Sequence, residues 1–130
     1  MPNLLNMKVL ARPESAEEVR AVLRGWLAGS LDDRELGDAE LVASELVSNS
    51  IRHAGLSAHE VVRVRAAALD DVLHLEVEDD GRAGPPRRRS PDAITGGIGL
   101  NVVEALSQAW GVRREARTTV WAELPFHPTG

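Results

Sequence analysis

Residues 43–55 read ASELVSNSIRHAG and have the periodicity of an amphipathic helix. Glu45 and Asn49 are four positions apart and Arg52 is three further on, so these polar side chains share one face of the helix. The opposite face carries apolar and small residues, namely Ala43, Leu46, Val47, Ser50 and Ala54. The segment alone leaves two interpretations open: a solvent-exposed side of an ordinary helix, or a polar face that binds a ligand.

The flanking sequence alternates between helical and strand patterns. These are a strand at 7–11, helices at 14–30 and 32–54, two strands joined at Asp70-Asp71, a loop at 81–98, a helix at 99–110 and a hairpin bending at 115–117. Hairpin strands are antiparallel, and amphipathic helices need an apolar surface to cover. We therefore predict an α+β fold over a single domain, residues 1–130. It is a two-layer sandwich with a mixed, mostly antiparallel sheet covered on one face by three helices.

Composition limits the class of protein. A chain of 130 residues with 43% hydrophobic residues, one Phe and no Tyr fits one globular domain with an aliphatic core. The net charge of −5 argues against direct binding to nucleic acid or to an anionic membrane. No cysteine, no signal-like N-terminus and no apolar run of about 20 residues are present, so we expect a cytoplasmic protein.

The stretch LEVEDDGRAG, residues 75–84, brings a strand to two carboxylates and a glycine. One interpretation is a simple turn at Asp79 and Asp80. In the other, a carboxylate fixed at the end of the strand accepts a hydrogen bond from the exocyclic amine of adenine, and Gly81 lets the base approach closely.

The stretch GGIGL, residues 96–100, places glycines directly before a helix. Unpaired N–H groups at a helix N-terminus attract anions, and glycines leave room for a phosphate, although a glycine cluster can also simply end a loop. No Lys-Ser or Lys-Thr follows, so this is not a Walker loop. The preceding loop carries Arg82, Arg87, Arg88 and Arg89, which either keep it solvated or reach toward a polyphosphate.

The order of these motifs resembles the ATP-binding (Bergerat) fold of the GHKL superfamily, which includes gyrase, heat-shock chaperones, histidine kinases and MutL. Within it, the whole chain is most similar to the stand-alone anti-sigma-factor serine/threonine kinases related to RsbW and SpoIIAB, in particular to the small actinobacterial ATP-binding regulators. The resemblance implies ATP or ADP and Mg²⁺ as ligands, with a lid over about residues 81–98.

The resemblance also implies roles for individual residues. Glu45 would be the general base and Asn49 the Mg²⁺ ligand, while Asp79 would accept the adenine amine with support from Thr119 through water. Further nucleotide-binding candidates are Gly81, Gly97, Ile98, Gly99 and Leu100. His53, at the edge of the polar helix face, is included as a hydrogen-bonding residue rather than a metal ligand.

Two departures bear on activity. Ala83 stands where the family has the last glycine of Asp-x-Gly-x-Gly, and Ile98 stands where relatives often carry a polar residue. The resemblance implies transfer of the ATP γ-phosphoryl group to a Ser or Thr of an antagonist (STAS-type) protein, binding of a sigma factor, and a homodimer. The alternatives are a catalytically inactive, nucleotide-dependent anti-sigma module and a degenerate, empty pocket.

Overall fold

The computed structural model describes residues 3–53, 59–80 and 101–127. Its elements in chain order are β1 (Asn3–Leu10), α1 (Ser15–Trp26), α2 (Asp33–His53), β2 (Val61–Leu69), β3 (Val72–Asp79), β4 (Ala109–Arg114) and β5 (Thr118–Pro125). Residues 101–106, between β3 and β4, are also helical and form the described part of α3. The first strand is longer than predicted, because its pairing with β2 begins at Asn3.

The five strands form one sheet in the order β1-β2-β3-β5-β4. All four strand pairs are antiparallel, so the described residues contain no parallel pair of the kind that the expected mixed sheet would include. Both predicted hairpins are confirmed, and Asp70 takes a positive φ of 51° in the first turn. The two-layer α+β class is also confirmed, with β3 between β2 and β5 in the interior of the sheet.

The core lies between the sheet and α2, the longest helix within the described residues. α2 contacts α1 as well as β2, β3 and β5. The most deeply buried side chains are all aliphatic, as the composition predicted: Leu23, Leu46, Leu73, Leu75, Val19, Val42, Val47, Val62, Val77 and Val103. Each such side chain contributes about 1.5–3 kcal/mol through removal of apolar surface from water. This burial fixes α2 over the centre of the sheet.

Local hydrogen bonds set where α2 begins. Asp32 Oδ1 accepts a hydrogen bond of 2.8 Å from the backbone N–H of Glu35, which satisfies one of the donors left unpaired in the first turn. Asp33 and Glu35 lie in that turn and complement the helix dipole. None of the helices in the three described ranges is long and apolar enough to cross a bilayer.

The predicted extent of the third helix, 99–110, is wrong at its C-terminal end. The described helix stops at residue 106, and Ala109 and Trp110 instead begin β4. Val103, Leu106 and Trp110 keep a helical spacing, but pairing with β5 prevails, with Ala109 opposite Glu123. Residues 99 and 100 lie outside the described residues.

The face of the sheet away from the helices carries a network of ion pairs. Arg65 donates to Glu76 at 2.9 Å and to Glu78 at 3.1 Å, and His74 Nε2 lies 2.9 Å from Glu76. Burial acts to raise the pKa of Glu76, but the hydrogen bonds from His74 and Arg65 outweigh it, and the pKa is lowered. Charged residues therefore occupy the middle of this face, opposite the aliphatic core.

The end of the described chain is attached to the turn between β2 and β3 and to the start of α2. Phe126 is buried, and its N–H donates to the carbonyl of Asp71 at 2.9 Å. Beyond it, His127 Nδ1 lies 2.6 Å from Glu35 Oε2. This hydrogen bond and the charge of Glu35 raise the pKa of His127 above 6.5.

A pair of glycine substitutions tests the packing of the last hairpin. A Cβ on Gly111 would lie 2.9 Å from Cζ2 of Trp121, its cross-strand neighbour, whereas a Cβ on the α2 residue Gly37 would meet nothing within 4 Å. We expect Gly111→Ala to destabilise the protein by about 1–3 kcal/mol through overpacking. Gly37→Ala should stabilise it by about 0.5–1 kcal/mol. Urea unfolding of both variants measures this, and equal shifts would contradict the described β4–β5 pairing.

The pH dependence of unfolding tests the contact between His127 and Glu35. A histidine whose pKa is raised on folding stabilises the native state below its unfolded pKa of about 6.5, and the effect disappears as pH rises through the folded pKa. We expect His127→Ala to lower the thermal midpoint at about pH 5.5 and to leave it nearly unchanged at about pH 8.5. Glu35→Gln should show the same pattern. A midpoint difference that is constant with pH would show that this ion pair does not form.

Candidate functional site

The last turns of α2 meet the end of β3 through a buried hydrogen bond. Ser50 Oγ donates to Asp79 Oδ2 at 2.6 Å. Ser50 is 5% exposed and Asp79 is 2% exposed, so the bond lies inside the molecule. It joins two residues that are far apart in the sequence, and it fixes the position of α2 relative to the end of the strand.

Asn49, the residue before Ser50, is buried at 7% exposure. Its Oδ1 accepts a hydrogen bond of 3.3 Å from Arg52 Nη2. Its Nδ2 is buried and finds no hydrogen-bond partner among the residues that the structure describes. Because Asn49 is buried, a solvent-exposed helix side is the wrong interpretation for this residue. An unpaired buried amide costs about 1–3 kcal/mol and therefore calls for an explanation.

Glu45 lies one turn before Asn49 and is half-buried. Residues four apart on a helix project from the same side, so Glu45 and Asn49 face the same region of the molecule. Arg52, the third residue of the predicted polar face, is exposed. The polar face of α2 thus extends from Asn49, which is buried, to Arg52 at the surface.

Of the two adjacent carboxylates, only Asp79 belongs to this buried region. Asp79 is the last residue of β3 and lies on the helix side of the sheet with Val77, Leu75 and Leu73. Asp80 is exposed and accepts a hydrogen bond of 3.1 Å from Arg117. A simple solvated turn therefore does not describe Asp79, whose carboxylate is held in the interior.

The sheet places Thr119 and Asp79 on opposite faces, and the supporting role that the resemblance implies for Thr119 stays a prediction. Thr119 pairs with Glu78, on the face away from the helices, whereas Asp79 pairs with Thr118. Successive side chains in a strand point to opposite faces, so the two threonines project to different sides. Thr118, which is half-buried, is the residue of β5 that lies opposite Asp79 on the same face.

Other predicted site residues lie outside the described residues. They are Gly81, Gly97, Ile98, Gly99 and Leu100, together with the lid and Ala83. His53 is the last residue of α2, and its side chain is likewise not described. The predicted convergence of Asn49 and Gly99 around one ligand therefore stays a prediction.

Ser50 and Thr118 are the residues that the sequence interpretation missed. Ser50 falls among the apolar and small residues of α2, and its hydroxyl was the signal, because a buried hydroxyl needs a hydrogen-bond partner. For Thr118 the signal was the alternation along β5, which could be used only once its register against β3 was known.

The buried groups fit an adenine nucleotide and its metal. A carboxylate is an acceptor that suits an exocyclic amine, and a carboxamide oxygen such as Asn49 Oδ1 is a ligand that Mg²⁺ accepts. The described residues contain no cluster of three or more His, Asp or Glu side chains able to hold a metal by themselves. A metal at Asn49 would therefore need ligands besides the described acidic and histidine side chains, such as phosphate oxygens and water.

This arrangement defines a class of ATP-binding domain. Helices cover one face of an antiparallel sheet, Glu and Asn lie on the central helix, and a buried Asp ends a central strand. The chain belongs to the histidine kinase-like ATPase domain family, whose model matches residues 9–124. It is therefore an ATP-binding domain, and the matched range includes Glu45, Asn49, Asp79 and the glycine box.

Curated relatives are distant in sequence. The chain is 30% identical to the anti-sigma F factor of Caldanaerobacter subterraneus over 62% of its length, and 26% identical to the serine-protein kinase RsbW of Staphylococcus aureus over 91%. It is also 32% identical to a gliding motility regulatory protein of Myxococcus xanthus over 75% of its length. These alignments cover 57% of the anti-sigma F factor, 84% of RsbW and 13% of the gliding motility protein.

Substitution of the two threonines tests the register of the site. We expect Thr118→Val to weaken ADP binding about tenfold, because it removes a hydroxyl on the face that holds Asp79. Thr119→Val, the matched control on the other face, should change the affinity by less than about twofold. Isothermal titration of both variants with ADP and Mg²⁺ measures this. The reverse ranking would support the role that the resemblance implies for Thr119.

Proposed function

We propose that this domain is an ATP-dependent serine/threonine protein kinase of the anti-sigma-factor type, from the actinobacterial branch of such regulators. It would transfer the γ-phosphoryl group of ATP to a Ser or Thr of an antagonist protein. The observation that carries the proposal is the arrangement of Glu45, Asn49 and Asp79 around the junction of α2 and β3. Similarity to a serine-protein kinase over 91% of this chain and 84% of that relative supports it.

Asp79 is the residue that we assign to recognition of the base. Its carboxylate is 2% exposed and is held by Ser50 at the end of an interior strand. A carboxylate accepts hydrogen bonds and cannot donate them when ionised, so it suits a ligand that presents an amine at this position. Thr118, opposite Asp79 on the same face, would complete this end of the site.

Asn49 is the residue that we assign to the metal. Its amide is buried, and its Nδ2 has no hydrogen-bond partner within the described residues. The described residues therefore leave one polar group of this side chain unpaired. The bond from Arg52 selects the orientation of the amide and identifies Oδ1 as the oxygen. Magnesium, when bound, would neutralise charge on the phosphates.

Glu45 is the residue that we assign to proton transfer. It is half-buried and stands one helical turn from Asn49, so it faces the same region while staying accessible to a second substrate. There it would accept the proton of the attacking Ser or Thr hydroxyl. Orienting that hydroxyl is the larger part of the task, since phosphoryl transfer depends mainly on positioning and charge stabilisation.

The partners that we propose are a sigma factor and its STAS-type antagonist, in the cytoplasm, with the domain acting as a homodimer. The anti-sigma F factor and RsbW among the relatives support this choice of partners. The second candidate function is a nucleotide-dependent binding module without catalysis. Ile98 and Ala83, the two departures from the family motifs, favour that module.

A phosphotransfer assay separates the two functions. The protein is incubated with radiolabelled ATP, Mg²⁺ and a candidate antagonist. We expect label on the antagonist, and about 10²–10⁴-fold slower labelling with Glu45→Gln, which removes the base but keeps the size of the side chain. Asp79→Asn should instead abolish ADP binding, because the single amide oxygen would accept from Ser50 and the Nδ2 group would then meet the adenine amine donor to donor.

Titration with ADP and Mg²⁺ provides the control for this assay. Glu45→Gln should bind ADP within about twofold of the parent protein, since the base contributes to the reaction rather than to nucleotide binding. Undiminished labelling with Glu45→Gln would remove Glu45 from its assigned role. ADP binding by the parent without any phosphotransfer would favour the binding module, and no ADP binding at all would favour an empty pocket.

A further inference from the structure

We propose that Leu41 is a specificity-determining residue, which contacts an apolar side chain of the protein substrate close to the phosphorylated Ser or Thr. This inference rests on the proposed function, because it assumes that Glu45 meets the acceptor hydroxyl. It deepens that function by stating which acceptor sites the domain would take. An apolar residue two positions before or after the acceptor would be required.

Leu41 lies one helical turn before Glu45 on α2, and Asn49 lies one turn after it. Residues four apart on a helix are neighbours on its surface, so the three side chains follow one another along one side of α2. Burial along this side increases in one direction: Leu41 is 40% exposed, Glu45 is half-buried and Asn49 is 7% exposed. A protein that approaches Glu45 from solvent therefore also meets Leu41.

The position of Leu41, rather than its exposure alone, supports this role. Single exposed leucines are common on protein surfaces and need no explanation. Within the three described ranges, however, Leu41 is the one exposed large hydrophobic residue of α2, and it stands beside the proposed base. An apolar side chain at that place offers a substrate a contact that water does not provide.

The surface around Leu41 is formed before a partner binds. Its neighbour Glu40 accepts hydrogen bonds of 2.7 and 3.0 Å from Arg24 on α1. Its other neighbour, Val42, is completely buried in the core. The helix is therefore held on both sides of Leu41, and a preformed contact loses less conformational entropy when a partner binds.

The spacing of Leu41 and Glu45 matches the repeat of an extended substrate segment. Four residues of helix rise about 6 Å, which is close to the roughly 6.5 Å between side chains two positions apart in an extended chain. Such side chains also point to the same side. When the acceptor hydroxyl faces Glu45, the residue two positions away therefore faces Leu41. Burial of Leu41 favours an apolar side chain there and disfavours a charged one.

Steady-state phosphotransfer to the STAS-type antagonist that the parent protein labels tests the proposal. We expect Leu41→Ala to raise the KM for the antagonist about tenfold and to change kcat by less than about twofold, because the contact lies beside the reacting atoms. Leu41→Met, which keeps the apolar volume, should retain most of the parent KM. Leu69→Ala makes the same change at an exposed leucine that pairs with Val72, at the opposite end of β3 from Asp79, and should leave the KM unchanged.

A paired substitution examines the contact itself. Mass spectrometry of the labelled antagonist identifies the acceptor, and we expect an apolar residue two positions before or after it. Replacement of that residue by alanine should raise the KM of the parent protein about tenfold. Combined with Leu41→Ala it should add little, because substitutions of two residues in contact are not additive.

The outcomes distinguish this inference from the proposed function. If the parent labels the antagonist and Leu41→Ala keeps the parent KM, the role of Leu41 is overturned while phosphotransfer stands. Polar residues at both positions, or additive effects of the two substitutions, would also overturn it. So would an equal loss of ADP affinity in Leu41→Ala, measured by titration calorimetry with Mg²⁺, because that pattern indicates a structural role only. If the parent labels no antagonist, the proposed function fails and this inference fails with it.

Discussion

The hydrogen bond between Ser50 and Asp79 is the constraint on which the candidate site depends. It is a polar contact beside a core that is mainly aliphatic, and both of its side chains are buried. Together they satisfy one another only when α2 has one particular position over β3. Apolar packing holds the helix on the sheet, and this bond defines the register in which it is held.

Asn49 shows the opposite arrangement, because its amide nitrogen is buried without a partner among the described residues. Stability alone would favour an apolar residue at this position, next to Leu46 and Val47 in the core. A residue that weakens the fold in this way is expected where a protein binds a ligand. The buried face of α2 therefore carries Ser50, whose hydroxyl is paired with Asp79, and beside it Asn49, whose amide nitrogen has no partner among the described residues.

The two faces of the sheet carry different kinds of side chain. The helix face carries the aliphatic core and ends in Asp79, whereas the opposite face carries ion pairs centred on Glu76 and Glu78. Strand alternation keeps these environments apart, and it also decides that Thr118 rather than Thr119 lies on the side of Asp79. Relatives at 26–32% identity indicate the family, but the assignment of individual side chains comes from this register.

Periodicity in the sequence determined the fold class, both hairpins, the amphipathic α2 and the strand that ends at Asp79, because each depends on residues close together in the chain. Only the tertiary structure decided that Asn49 is buried, that Ser50 pairs with Asp79, which face of the sheet carries Thr119, and that α3 ends before β4 begins. Local patterns define which side of an element is apolar, but they do not define the register in which elements meet. A shift of one residue in a strand reverses the face of every side chain, so only the paired sheet could place the two threonines.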